Sequence, residues 1–172
     1  MAKRTKLKKA LELPAGKRKQ IIDLLTTSYN MELETVVNYL ANAVHLDGML
    51  AKEVKESLEA DVTEELNHAK LLAARIKVLG GTIPGSRSLT MSQKTLQPPK
   101  DSLDVESVIK GVIDAEDGAI DQYQRIIEAT GDDADPVTQD LAVELKGDEE
   151  EHRREFVGFL REWQAFGLGK RK

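Results

Sequence analysis

The sequence predicts an all-α protein, an antiparallel four-helix bundle with one long crossover between the second and third helices. Three observations carry that expectation. Apolar residues recur at helical spacing in four segments, separated by glycine, proline and aspartate breaks. Residues 82 to 101 are rich in proline, serine and threonine and sit between the second and third of those segments. A bundle whose second and third helices run parallel needs one long connection there. The third observation is a constellation of glutamates, histidines and tyrosines that occurs twice at a constant offset, described below.

The elements follow in order. Residues 1–17 read as a basic flexible tail, with Pro14-Ala15-Gly16 as the break before ordered structure. The first helix is expected from about Lys19 to His45, with Leu25, Glu32, Val36, Tyr39 and Ala43 on one face. Asp47-Gly48 is a turn. The second helix is expected from about Ala51 to Leu79, with Leu58, Val62, Glu65, Ala69, Leu72 and Ile76 in one stripe. Gly80-Gly81 stops it, because glycine relieves left-handed strain at a helix C-terminus. Pro84, Gly85, Pro98 and Pro99 then punctuate the crossover. A loop of this length normally counts against an assignment inside a compact domain, but this topology requires one.

Asp101 or Ser102 is the expected cap of the third helix, which runs to about Ala129. Its stripe is Val105, Val108, Val112, Glu116, Ala119, Tyr123 and Ile126 or Ile127. Thr130 to Ala134 form the next turn. Asp135 is an N-cap followed by Pro136 at the first helical position, where no amide donor is needed. The fourth helix runs to about Trp163, with Leu141, Leu145, Glu149, His152, Phe156 and Phe159 in line. The bundle is thus expected over residues 18–165, with a basic C-terminal tail over 166–172.

Composition narrows the chemistry. The chain has 172 residues, a net charge of −5, 32 % charged residues and no cysteine. Without cysteine there are no disulfides, thiolate zinc sites or iron–sulfur clusters, so any metal ligands are oxygen or nitrogen. No apolar run approaches about 18 residues, so no membrane span is expected. The basic N-terminus lacks the apolar core of a secretory signal, and a cytoplasmic location is the expectation. Charge is uneven: Lys3, Arg4, Lys6, Lys8, Lys9, Lys17, Arg18 and Lys19 crowd the start and Lys170, Arg171 and Lys172 the end, leaving an acidic middle.

Two strings carry the chemistry. Glu65-Leu66-Asn67-His68 and Glu149-Glu150-Glu151-His152 both read Glu-x-x-His, and upstream stand Glu32-x6-Tyr39 and Glu116-x6-Tyr123. Glu32 to Glu116, Tyr39 to Tyr123, Glu65 to Glu149 and His68 to His152 are each 84 residues apart. On a helix, positions i and i+3 project from one face, so each Glu-x-x-His places a carboxylate and an imidazole toward one ion. Two glutamates from the other helices complete the donor set of a di-metal carboxylate site in a bundle core. A single Glu-x-x-His is usually a surface pair, and a lone tyrosine on an apolar stripe is usually core. The matched copies in equal register separate this chain from that bland reading.

Burial adds a physical argument. Glu32, Glu65, Glu116 and Glu149 fall on apolar stripes, where an ionised carboxylate is costly unless paired or metal-bound. Two divalent cations neutralise four carboxylates, and iron(II) and manganese(II) accept mixed carboxylate and imidazole ligands. Tyr39 and Tyr123, two turns after Glu32 and Glu116, can each donate a hydrogen bond to a ligating carboxylate of a neighbouring helix. The remaining histidine, His45, is expected at a helix end, and Trp163 in packing or an interface.

These motifs resemble the ferritin-like superfamily, specifically its bacterioferritin-like branch, over about residues 20 to 163. The resemblance implies oxidation of iron(II) by O2 or H2O2 and storage of the ferric product inside a hollow shell. It makes Glu32 and Glu116 terminal ligands, Glu65 and Glu149 bridging ligands, and His68 and His152 terminal nitrogen ligands, which hold two iron ions per chain. Manganese can take the same ligands, and zinc can substitute in crystals. Leu66 stands where bacterioferritins carry the haem-ligating methionine, so no haem is expected. Only nine residues follow Trp163, too few for the fifth helix of 24-subunit cages, so a dodecamer or smaller, Dps-like shell is expected. Two alternatives stand beside this reading. One is a DNA-associated protection protein using the basic tail, whose phosphate contacts are salt-sensitive. The other is a different di-metal enzyme such as a manganese catalase.

Overall fold

The computed structural model describes residues 13–131 and 134–167. Among them are four long α-helices: α1 (Ala15–His45), α2 (Lys52–Val78), α3 (Val105–Thr130) and α4 (Pro136–Ala165). α1 and α2 form one antiparallel hairpin and α3 and α4 the other; α1 lies against α3, and α2 touches α4. α2 and α3 run parallel, and residues 79–104 carry the chain back along the bundle between them. The fold is therefore the four-helix bundle with one crossover that the sequence predicts.

The helix ends explain most of the boundaries. Gly80 adopts φ 84°, and the Gly81 and Gly80 amides donate to Ile76 and Lys77 carbonyls at 2.9 and 3.0 Å. This pair of bonds satisfies the orphan carbonyls at the end of α2 and needs the left-handed residue that glycine supplies. Asp135 caps α4 as expected, accepting from the Thr138 amide at 3.2 Å, with Pro136 beginning the helix. Three expectations need correction. α1 starts at Ala15, four residues before Lys19, because Pro14 precedes the helix and a glycine in the first turn does not block it. α4 continues past Trp163 to Ala165.

The third correction is the cap of α3, which is Asp104, not Asp101 or Ser102. Asp104 accepts from the Ser107 amide at 3.2 Å. Asp101 instead makes a turn, accepting from Leu103 N at 3.0 Å, and the Ser102 carbonyl accepts from Asp47 N at 2.9 Å, tying the start of α3 to the α1–α2 turn. Asp132 and Asp133 of the Thr130–Ala134 turn lie outside the described residues, as do residues 1–12 of the N-terminal tail and 168–172 of the C-terminal one.

The crossover is packed, not loose. Glu34, buried on α1, accepts from the Ser92 and Gln93 amides at 2.7 and 2.8 Å. The Gln93 side chain meets Asn38 and Thr35 at 2.8 and 2.7 Å. Leu96 is fully buried among Val105, Ile109 and Val112. The crossover backbone lies directly on α3 at Gly111, where an added Cβ would sit 2.6 Å from the Thr95 carbonyl oxygen. Helix propensity alone predicts that Gly111→Ala gains about 1 kcal/mol. The backbone clash should outweigh that gain, giving a net loss of about 1–2 kcal/mol and a melting temperature lower by ~2–8 °C. A thermal melt checks the sign, and faster proteolysis within residues 82–101 checks the cause.

At the opposite end, Arg75 of α2 bonds Asp135 at 2.6 Å and Thr138 Oγ1 at 2.7 Å. Burial opposes ionisation of Asp135, but hydrogen bonds from Arg75 and Thr138 prevail and hold its carboxyl below the usual range. A lowered carboxyl pKa contributes stability above the ordinary value near 3.8, and that stability is lost as pH falls through the lowered one. Asp135→Ala removes a cap and strands a half-buried guanidinium, so it should cost about 2–3 kcal/mol at pH 7. Denaturant titrations at pH 3 and 7 should show the cost shrinking on the acid side.

Candidate metal centre

Two apolar clusters divide the bundle. One holds Tyr39, Leu46, Leu58, Leu96, Ile109 and Phe156; the other holds Ile21, Leu25, Leu72, Ile76, Tyr123 and Leu145. Between them along every helix fall Glu32, Glu65, His68, Glu116, Glu149 and His152, none more than 7 % exposed. The helical register thus brings the six polar positions of the sequence reading to one level of the core.

There they form two overlapping groups. Glu32, Glu65, His68 and Glu149 each bring a ligand-type atom within 4.8 Å of the others, and so do Glu65, Glu116, Glu149 and His152. Glu65 and Glu149 belong to both. The imidazoles of His68 and His152 stack at 6.3 Å between ring centroids. His68 Nδ1 faces Glu149 at 3.1 Å and Glu65 at 3.5 Å, and His152 Nδ1 faces the same two carboxylates at 3.4 Å each. The phenols cross the bundle: Tyr39 donates to Glu116, and Tyr123 donates to Glu32. Each tyrosine therefore serves the glutamate of the other copy.

Protons are distributed unevenly over this cluster. Burial, then the charges of Glu149 and Glu65, push Glu32 well above the usual carboxylate range, and the same causes act on Glu116. Burial also opposes ionisation of Glu65, but bonds from His152 and His68 outweigh it and bring it down to about 2. Burial disfavours the imidazolium forms, yet Glu149 and Glu65 raise His68 to about 10 and His152 to about 12. Tyr39 and Tyr123 stay protonated donors, raised by burial and by the adjacent Glu116 and Glu32.

The donor set fits a pair of cations. Both oxygens of Glu65, Oε2 of Glu149 and Nδ1 of His152 are buried without a well-formed hydrogen bond, held only by the 3.4–3.5 Å ion-pair contacts above. Buried polar atoms left so poorly paired cost about 1–3 kcal/mol each in an apolar core. They converge here, and every one is an oxygen or nitrogen that hard and borderline divalent ions accept.

Three further acids escaped the sequence reading. His68 Nε2 lies 3.3 Å from Asp148, and His152 Nε2 lies 3.3 Å from Glu64 and 4.0 Å from Asp61. A carboxylate on Nε2 fixes the ring and leaves Nδ1 as the ligand atom. Glu64 and Asp148 immediately precede the two Glu-x-x-His strings and are themselves 84 residues apart, a signal present in the sequence. Asp61 is buried and pushed up to about 6 by that burial. His45 sits in the last turn of α1 outside both groups. Trp163 packs on the first cluster, and Leu66 is 53 % exposed on α2.

Comparisons with known proteins agree with the fold. Residues 22–166 match the family model described as Ferritin-like domain. The bacterioferritin of Desulfovibrio desulfuricans is 25 % identical over 138 residues, which span 79 % of this chain and 72 % of that protein. The structure of a bacterioferritin-related protein from Bacteroides fragilis, described as a dodecameric thioferritin, superposes with TM-score 0.82 at 26 % identity, covering 96 % of this chain and 99 % of that one. A Dps protein from Vibrio cholerae O1, described as one of the ferritin-like diiron-carboxylate proteins, shares the fold with TM-score 0.77 at 20 % identity, over 87 % and 94 % of the two chains. No helix among the described residues is long and apolar enough to cross a membrane.

Proposed function

We propose that this chain, which belongs to the ferritin-like domain family, is a ferroxidase that oxidises iron(II) with O2 or H2O2 and keeps the ferric product within a homo-oligomeric shell. The observation that carries this reading is the pair of donor groups sharing Glu65 and Glu149, with poorly paired ligand atoms turned into them. In it, Glu32 and His68 would hold one ion, Glu116 and His152 would hold the other, and Glu65 and Glu149, which belong to both groups, would serve the two together. Two iron(II) ions bound together supply two electrons, enough to take dioxygen to hydrogen peroxide or peroxide to water. Manganese suits the same donors.

The protein's own groups prepare that chemistry. Tyr39 and Tyr123 orient the terminal carboxylates. Glu64 and Asp148 hold the Nε2 protons and so present Nδ1 inward. The apolar clusters on either side exclude water. Binding ions displaces the protons on Glu32, Glu116 and the imidazoles, so affinity rises with pH.

The Bacteroides fragilis relative, whose whole chain this one matches, is described as dodecameric, which supports a twelve-subunit shell over a 24-subunit one. Leu66 offers no haem ligand. The tail proposed for DNA contact falls mostly in residues 1–12, outside the described part. Mixing the metal-free protein with iron(II) in air tests the reading. It expects ferric absorbance growing faster than in buffer, and many more than two irons retained per chain in a hollow oligomer. Two metals per chain on a monomer or dimer would remove storage, and peroxide disproportionation by a manganese-loaded form would favour a catalase.

A further inference from the structure

The two halves of the metal centre match residue for residue until Asp61. Glu32 pairs with Glu116, Tyr39 with Tyr123, Glu64 with Asp148, Glu65 with Glu149 and His68 with His152, all 84 residues apart. The residue 84 positions after Asp61 is Leu145. Leu145 is buried within the second apolar cluster. Asp61 is also buried, 6 % exposed, but its carboxylate lies 4.0 Å from His152 Nε2, where Glu64 already stands at 3.3 Å. His68 Nε2 has Asp148 at 3.3 Å, with the half-exposed Glu64 in the same group, and no buried acid in that group among the described residues. Asp61, Glu64 and His152 cluster together, whereas the group around His68 and Asp148 draws its third member, Glu64, from the same helix as His68.

A buried aspartate on one side, where the matching position on the other is a leucine, is an electrostatic difference between the two ion positions. Negative charge on the outer nitrogen of an imidazole raises the basicity of the inner one, and such outer partners change metal affinity about 10–100-fold. Glu64 and Asp148 are half exposed, with side chains 50 % and 42 % accessible, so solvent screens them. Asp61 is shielded from solvent, and its charge acts through a less polar medium.

We propose that Asp61 is a positioning residue that makes the two ion positions unequal, so that the position framed by Glu116 and His152 fills first and holds its ion more tightly than the one framed by Glu32 and His68. This rests on the di-metal reading above. The inequality orders the loading: the tight position captures a first iron(II), and the weaker one completes the pair and exchanges it.

Cobalt(II) is a suitable probe, being insensitive to air at such a site. Crystals equilibrated with one cobalt(II) per chain should show anomalous density mainly at the Glu116–His152 position, and a solution titration should show two phases about ten-fold apart. Asp61→Asn keeps the shape and removes the charge, and Asp61→Leu copies the other half. Both should equalise the two occupancies while the second equivalent still binds. Equal occupancy in the unaltered protein, or a preference unchanged in both variants, overturns the proposal. The unaltered protein tests it even if a variant does not fold. Absence of cobalt from both positions would refute the di-metal reading itself, an outcome distinct from equal filling.

Discussion

Glu65→Ala should leave the chain unable to hold either ion, whereas Glu32→Ala should retain one. The difference follows from membership: Glu65 lies in both donor groups, Glu32 in only one. Removing Glu65 also leaves His68 and His152 without one of the carboxylates that they face. Iron(II) oxidation should fall by at least about 100-fold in either variant, because the two-electron reaction needs both ions together. Metal content after dialysis separates them: none per chain for Glu65→Ala, one for Glu32→Ala. Glu116→Ala should mirror Glu32→Ala, with the retained ion at the other position.

Metal loading should be the largest single stabilisation of this fold, and it should grow with pH. Each ion at about 100 times its dissociation constant adds ~2.7 kcal/mol, so two add about 5 kcal/mol. For a chain of this size that corresponds to a rise of ~10–20 °C in melting temperature. The pH dependence follows from the proton distribution. Glu32 and Glu116 are raised above the ordinary value of 4.5 by burial and by neighbouring carboxylates. His68 and His152 are raised from 6.5 to about 10 and about 12. In all four, the folded metal-free chain binds more protons than the unfolded one, so its stability falls as pH rises from 5 to 8. Glu65 acts oppositely, but its contribution is complete above 4.5 and is lost only toward about 2. Bound cations replace those protons. Melting curves with and without manganese(II) at pH 5 and 8 should show the larger gain at pH 8; an equal or smaller gain there would contradict the assignment of the buried protons.

Much of this was legible in the chain because helical register is simple geometry. The stripes carrying Glu32, Glu65, Glu116 and Glu149 are set by spacing alone, and the caps at Gly80-Gly81 and Asp135-Pro136 are local signals that structure did not override. What was less legible depends on tertiary contact. Asp101, Ser102 and Asp104 are equally good caps by residue type; the turn that Asp101 makes onto Leu103 N and the bond from Asp47 to the Ser102 carbonyl put the first two outside the helix. Glu34 looks like a surface acid two residues after Glu32, yet it clamps two amides of the crossover. Val36, Leu141 and Phe159 lie on their predicted stripes but are only half-buried. Asp61 has no marker in its own helix; it becomes visible only when its partner position, Leu145, is compared.

The most direct measurement is anomalous diffraction from crystals soaked in iron(II) under anaerobic conditions. Two ions are expected between the four helices, about 3.5–4 Å apart, one contacted by Glu32 and His68, the other by Glu116 and His152, with Glu65 and Glu149 shared. Density for a single ion without these ligands, or none in the core, would contradict a di-metal centre.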